Sequence, residues 1–354
     1  ELTDWPAPRS GNFFFRLRNR RAPAFRVGEL LTVTPTPMLR SLLRPRALAA
    51  AAGAAGACAA AISYAPSHAL DSWGSDRWYV EWLEQEMSTH PPALSKDSWT
   101  PLKVWSVDDQ THNTKMIRFV FADPHAAAGM HVASYLLCRA PIGKEKPDGT
   151  RGMVIRPYTP SHTTIGYLEL VIKGYPEGKM SKHIHSLKRG DTLDFKGPIL
   201  GTPITQNEYE EIGLIAGGSG ITPMLQVAQR VLANPDDQTQ VSLIFANVTE
   251  DDIILKDKID DLQKEHPKQL KVYYSLDQPP IGKNWKGGRG FISRSMVEEN
   301  LPNPLLGPLT KVLVCGPPGM VKHLAGELPS KKGQGEFGGL LKQCGFEASQ
   351  VFKF

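Results

Sequence analysis

Ile212-Gly213-Leu214-Ile215-Ala216-Gly217-Gly218-Ser219-Gly220-Ile221-Thr222-Pro223 reads as a buried strand that runs into a glycine turn and then into a helix. Ile212–Ala216 is apolar without alternation, the pattern of a parallel strand covered on both faces. Gly217, Gly218 and Gly220 then let the backbone come close to a ligand, and Pro223 sits where a helix start tolerates it. Three further runs have the same character: Val241–Ala246, Lys271–Leu276 and Lys311–Gly316. Between them, helical segments are expected at Pro223–Ala233, Ile253–His266 and Ser293–Asn300. Strands alternating with helices specify a doubly wound parallel sheet, here placed at 204–354.

Upstream the pattern changes. Segments at 102–107, 116–122, 167–173 and 192–197 are short, β-rich and separated by turn residues. Pro141–Gly152 is charged and turn-rich, which reads as an exposed loop. Residues 99–203 are therefore expected to form an antiparallel β-barrel or sandwich. The fold class is β followed by α/β.

The chain has 354 residues and a net charge of +5, and that charge is unevenly placed. Residues 1–70 hold nine arginines against three acids, whereas the other 284 residues hold 32 basic and 33 acidic groups. The body has no basic excess with which to bind nucleic acid. The Arg-rich, acid-poor stretch 1–46 has the composition of a mitochondrial presequence. Ala47–Ile62 carries no charge, and as a helix it spans roughly 24 Å, short of the ~30 Å of a bilayer core. Extension to Ala65 closes most of that gap. Residues 47–65 are therefore read either as a membrane anchor or as a low-complexity helix leading into a cleavage site. The connecting segment 66–98, with Trp73, Trp78 and Trp82, matches no motif. The four cysteines, at 58, 138, 315 and 344, form no CxxC pair, which argues against zinc, iron–sulfur and disulfide frameworks. No metal is expected.

Four motifs carry chemistry. Arg156-Pro157-Tyr158-Thr159-Pro160 ends an extended stretch and offers a planar cation for a pyrophosphate and a flat ring for stacking. Gly178-Lys179-Met180-Ser181 opens a helix expected over Lys182–Lys188, where free N–H groups favour an anion. Gly217–Pro223 is the third. Cys315-Gly316-Pro317-Pro318-Gly319-Met320 follows the last buried strand, at a strand-to-helix switch where doubly wound sheets hold ligands. Each has a plain structural reading as well: a surface arginine beside a packed tyrosine, a serine cap, a tight turn, a packed cysteine.

The order of these motifs on a β domain followed by an α/β domain resembles the ferredoxin–NADP reductase superfamily, and more closely its NADH–cytochrome b5 reductases. The resemblance covers roughly 100–354, and the stretch from Gly333 to Val351-Phe352-Lys353-Phe354 is similar to the fungal mitochondrial members. It implies FAD in the β-barrel and NADH in the α/β domain. Arg156, with Pro157, would bind the flavin pyrophosphate, and Tyr158 and Thr159 would contact the isoalloxazine. Val171, Lys173 and Tyr175 would line the flavin site. Gly178, Lys179, Met180 and Ser181 would close over the phosphates. Gly217, Gly218, Gly220 and Thr222 would cradle NADH. Cys315, Gly316, Pro317 and Met320 would position the nicotinamide, and Asp277 would meet the adenosine ribose. Thr159 and Cys315 are the residues implied at the chemistry.

The implied reaction passes a hydride from NADH to the flavin and then single electrons to cytochrome b5. His90-Pro91-Pro92 is not the haem-binding HPGG, so the acceptor is expected to be a separate protein. The partner is acidic, and Lys179, Lys182, Lys188 and Arg189 are the local cations that could face it. The resemblance further implies a monomer in the mitochondrial outer membrane or intermembrane space. Two alternatives stay open: a related flavin reductase with another acceptor (a quinone, nitrate or another haem protein), and a membrane-tethered nucleotide-binding protein without catalysis.

The choice of dinucleotide follows from charge. Asn247-Val248-Thr249-Glu250-Asp251-Asp252, after the second parallel strand, has no cation to pair a 2′-phosphate and three acids to repel one, while a free 2′-hydroxyl suits Asp277. NADH is expected to show the lower KM in paired steady-state assays; a lower KM for NADPH would contradict this reading.

Overall fold

The computed structural model describes residues 90–281, 285–329 and 333–354, all within one compact unit, Ser75–Phe354. The presequence reading of 1–46, the 47–65 segment and most of the connecting segment lie outside the described residues. Among the described residues, no helix is long and apolar enough to cross a membrane.

Seven strands form the first sheet: β1 (Thr100–Thr111), β2 (Thr114–Val120), β3 (Ser134–Ala140), β4 (Val154–Tyr158), β5 (His162–Thr164), β6 (Tyr167–Lys173) and β7 (Thr192–Leu200). Their order is β4-β3-β7-β1-β2-β6-β5, and every pairing is antiparallel. Alternation sends Leu102 and Val104, Ile117 and Phe119, Leu136 and Cys138, and Leu193 and Phe195 into one core. Phe119 and Phe195 meet edge to face at 4.9 Å. Helix α1 (Lys179–Ser186) adds Met180 and Ile184 to that core. The edge strands β4 and β5 are separated only by Thr159, Pro160 and Ser161. A link that short reaches roughly 14 Å at most, so the two edges lie close and the sheet curls into a barrel.

The stretch 90–98 packs on this barrel: Leu94 joins its core, and the Ala93 N–H donates to Ala127 at 2.8 Å.

The second sheet is wholly parallel, with order β11-β10-β9-β8-β12-β13. Its strands are β8 (Glu211–Gly217), β9 (Gln240–Asn247), β10 (Leu270–Leu276), β11 (Gly288–Arg289), β12 (Thr310–Cys315) and β13 (Val351–Lys353). Helices α2 (Ile221–Ala233) and α3 (Lys256–Glu265) cover one face, and α4 (Arg294–Asn300), α5 (Pro318–Ala325) and α6 (Gly339–Gln343) cover the other. Leu214 and Ile215, adjacent on β8, belong to the two opposite cores, which is why that strand reads as continuously apolar. The barrel contributes Ala133 and Val171 to the first of these cores, so the two sheets share packing.

The structure departs from the sequence reading at element starts. Helix α1 begins at Lys179, three residues before the expected start, because Lys179-Met180-Ser181 is its first turn. The helix expected from Ile253 begins at Lys256: Thr249 and Asp252 form a reciprocal cap around a short 3-10 turn, and Leu255 takes φ 57°. Strand β13 is three residues long, too short for any period to show.

Phe195 is fully buried. Its replacement by alanine should cost about 3–5 kcal/mol. Urea unfolding measures this, and a midpoint unchanged from that of the parent chain would contradict the assigned core.

Candidate cofactor-binding site

A cleft of about 720 Å³ runs between the barrel and the ends of the parallel strands. One wall is β4, which carries Arg156, Pro157 and Tyr158, and the start of α1, which carries Gly178 to Ser181; the other includes Gly316 and Pro318. Arg156 is exposed, and its guanidinium is steadied by a 2.7 Å bond to the Ile155 carbonyl. Burial raises the Tyr158 phenol well above its usual range, so the ring meets the cleft uncharged.

Gly178 caps α1 without a side-chain bond, which leaves the N–H groups of the first turn without intrahelical acceptors. The Ser181 hydroxyl faces inward instead: it donates to the Gly178 carbonyl at 3.0 Å and accepts from the Tyr175 N–H at 3.2 Å. It holds the Tyr175–Gly178 turn, and the first-turn N–H groups and the Lys179 ammonium are left to face an anion.

The other wall depends on backbone approach. Strands β8 and β12 are neighbours, with Ala216 opposite Cys315, so the glycine turn and the Cys315–Met320 loop leave the sheet side by side. A Cβ at Gly220 would lie 2.2 Å from the Cys315 carbonyl oxygen, and one at Gly217 would lie 2.6 Å from Met320 Sδ. Gly218 has φ +52°, and a Cβ there would meet the Tyr175 hydroxyl at 3.7 Å and Lys173 Cδ at 3.9 Å, so its left-handed backbone and not a clash is what calls for glycine. The Thr222 hydroxyl donates to the Ser219 carbonyl at 3.3 Å, pinning the turn to α2. Tyr175 joins the walls, its hydroxyl 3.4 Å from Ser219 Oγ. Burial pushes the Cys315 thiol up to about 12, so it is a neutral S–H at physiological pH.

Nine of the residues expected at the site line the cleft: Arg156, Pro157, Tyr158, Tyr175, Gly178, Lys179, Met180, Ser181 and Gly316. Gly217, Gly218, Gly220, Thr222, Cys315, Pro317 and Met320 form the adjoining strand-end cluster. Thr159 is half-buried just beyond β4. Val171 is buried in the core shared by the two sheets, so it backs the site and does not line the cleft. Asp277 is exposed at the end of β10, two strands from β8, and its partial burial raises its carboxyl.

Lys173 ends in an ion pair. Its ammonium lies 2.8 Å from Asp252 Oδ1, and both side chains are largely covered. Burial alone would push the Asp252 carboxyl up; hydrogen bonds from Lys173, Thr249 and Asn113 outweigh that and hold it well below the usual carboxylate range. This alters the charge argument for the dinucleotide. Asp252 is paired and buried, so its charge is already answered within the protein, and of the three acids only Asp251 is exposed. Asn113, and the exposed apolar side chains Met153 and Ile155 on the cleft wall, were not legible as site residues. They belong to no motif, and only the folded chain brings them there.

An exposed arginine, a bare helix start and two glycine-dependent strand ends around one cleft fit a flavin dinucleotide against a nicotinamide dinucleotide. Family models agree: an oxidoreductase FAD-binding domain matches residues 101–202 and an oxidoreductase NAD-binding domain matches 214–325. The class is a two-domain flavin- and NAD-binding oxidoreductase. An Arabidopsis thaliana NADH-cytochrome b5 reductase-like protein is 46% identical over 297 residues, 83% of this chain and 88% of the relative. NADH-cytochrome b5 reductase 2 of Aspergillus clavatus is 45% identical over 261 residues, 73% of this chain and 78% of the relative. The crystal structure of the cytochrome b5 reductase domain of Ulva prolifera nitrate reductase superposes with a TM-score of 0.63 at 30% identity, covering 74% of this chain and 99% of that one. The chain belongs to the NADH–cytochrome b5 reductase family.

A neutral, half-buried thiol reacts slowly. Peptide-mapped alkylation of the native protein at pH 8 should label Cys315 at least ~100-fold more slowly than a free cysteine of pKa about 8.5. Labelling at the free-cysteine rate would contradict the environment described.

Proposed function

We propose that the chain is an NADH-dependent FAD enzyme that delivers electrons singly to cytochrome b5. What carries the reading is the single cleft in which the Arg156–Tyr158 segment and the α1 start of the barrel face the Gly316 loop of the parallel sheet. Bound FAD would supply a two-electron acceptor that gives electrons up one at a time. In this reading Arg156 and the first turn of α1 hold its pyrophosphate. Tyr158 and Thr159 hold the flavin ring from the β4 seam, and Tyr175 steadies the junction through Ser219. The glycine turn Gly217–Gly220 holds the NADH pyrophosphate at the start of α2. Cys315 and Met320 place the nicotinamide, and the uncharged thiol brings no anion to the reacting face. Asp277 receives the adenosine ribose.

The acceptor is read from the family together with charge. Lys179, Lys182, Lys188 and Arg189 are all exposed, and Arg189 is fixed over the Trp105 ring at 4.3 Å from its centroid. An acidic haem protein docking there brings its cofactor toward the flavin wall. The basic leader supports a mitochondrial address, outer membrane or intermembrane space, with 47–65 as tether.

The full-length protein should purify yellow and bleach with NADH. Its reduction of cytochrome b5 should slow as salt rises, because exposed charges are screened. Arg156→Ala should lose most of its FAD during gel filtration. A colourless protein that binds nucleotide without turnover would overturn the enzyme assignment, and a salt-insensitive rate would overturn the docking face.

A further inference from the structure

We infer that Asp252 is a positioning residue: its carboxylate brackets the barrel to the parallel sheet and fixes how far the glycine turn stands from the flavin-binding strand. The inference rests on the proposed function and adds a part to it.

The two carboxylate oxygens divide their partners between the two sheets. Oδ1 accepts from Lys173 Nζ at 2.8 Å and from Asn113 Nδ2 at 3.1 Å, both in the barrel. Oδ2 accepts from the Thr249 N–H at 3.1 Å and the Thr249 hydroxyl at 2.7 Å, both in the turn that follows β9. His112, at the β1–β2 hairpin, stands 3.9 Å from Oδ1. Side-chain exposures of 13% for Lys173 and 7% for Asp252 place the pair away from solvent screening. Breaking one side leaves a buried charge without its partner, so the bracket holds firmly in one geometry.

Its location gives it consequence. Lys173 closes β6, and its stem and the Tyr175 hydroxyl are the nearest groups to where a Cβ on Gly218 would stand. The end of strand β6 therefore runs beside the glycine turn, and in this inference Asp252 sets their separation. Hydride transfer needs reacting atoms held about 3–3.5 Å apart, and a 1 Å misplacement costs on the order of 100-fold. A bracket between the two cofactor-binding halves thus acts on rate more than on affinity.

The test compares holoenzyme variants Asp252→Asn, Lys173→Met and the double variant by rapid-mixing flavin reduction at saturating NADH, with FAD content, melting temperature and KM measured alongside. Asp252→Asn should retain FAD and a KM near that of the parent, while flavin reduction slows at least ~10-fold and shows an undiminished isotope effect with 4-deuterated NADH. The double variant should be no slower than the slower single one, because both remove the same bracket. If Asp252→Asn does not fold, Lys173→Arg decides: it keeps the charge and alters the reach, and should slow reduction at a parental melting temperature. Flavin reduction at the parental rate in a folded, FAD-loaded variant overturns the inference, as does a raised KM for NADH with kcat unchanged, which marks a direct ligand contact. A parent enzyme that does not bleach with NADH overturns the functional reading and the inference with it.

Discussion

The three-residue link between β4 and β5 constrains everything on the flavin side. Those strands are the two free edges of the first sheet, and Thr159-Pro160-Ser161 ties them together. Ser161 anchors the link, its N–H donating to the Glu169 carbonyl on β6 at 2.9 Å. The sheet must curl, and no long open edge is left for another chain to pair with. The seam so produced carries Arg156 and Tyr158 on one side, and α1 packs against it with Met180 and Ile184 in the barrel core. The cleft exists because the barrel closes there.

The nicotinamide side has a different origin, in backbone meeting backbone. Gly220 lies so close to the Cys315 carbonyl that any side chain would displace one of two neighbouring strand ends. Gly217 and Gly316 are likewise packed against Met320. The glycines therefore serve two ends at once: they let the two loops nest, and at Gly218 they supply the left-handed backbone that the turn requires. Met320 fills the room that the missing Cβ atoms create.

The sequence was most readable where one constraint dominates. The strand from Ile212 to Ala216 is apolar because it is covered on both faces, and the glycine turn after it is demanded by sterics. Both leave marks that a single sequence shows. Arg156, Tyr158 and Lys179 were legible through motif order. Val171 was placed in the flavin site by resemblance, but β6 sends it into the shared core. Lys173 gave no sign of its partner, because Asp252 lies 79 residues away and meets it only once both sheets have formed. The true start of α1 was missed for a local reason: glycine as a cap leaves no side-chain signature, and Lys179-Met180-Ser181 resembles a loop as much as a first turn.

The pairing of β8 with β12 bears on how this molecule comes into being. Residues that face each other there are about a hundred positions apart: Thr310 bonds to Glu211 across 99 residues. The entropy of closing so long a loop must be spent before the pairing returns any stability, and such non-local contacts make for slow folding. The glycine turn and the Cys315 loop nest only after that pairing. The barrel is under the same constraint, because its β1 pairs with β7 over a comparable span, Thr100 opposite Phe195. Both walls of the cleft thus wait on pairings between residues distant in sequence, and the site comes into being with the whole fold, not ahead of it.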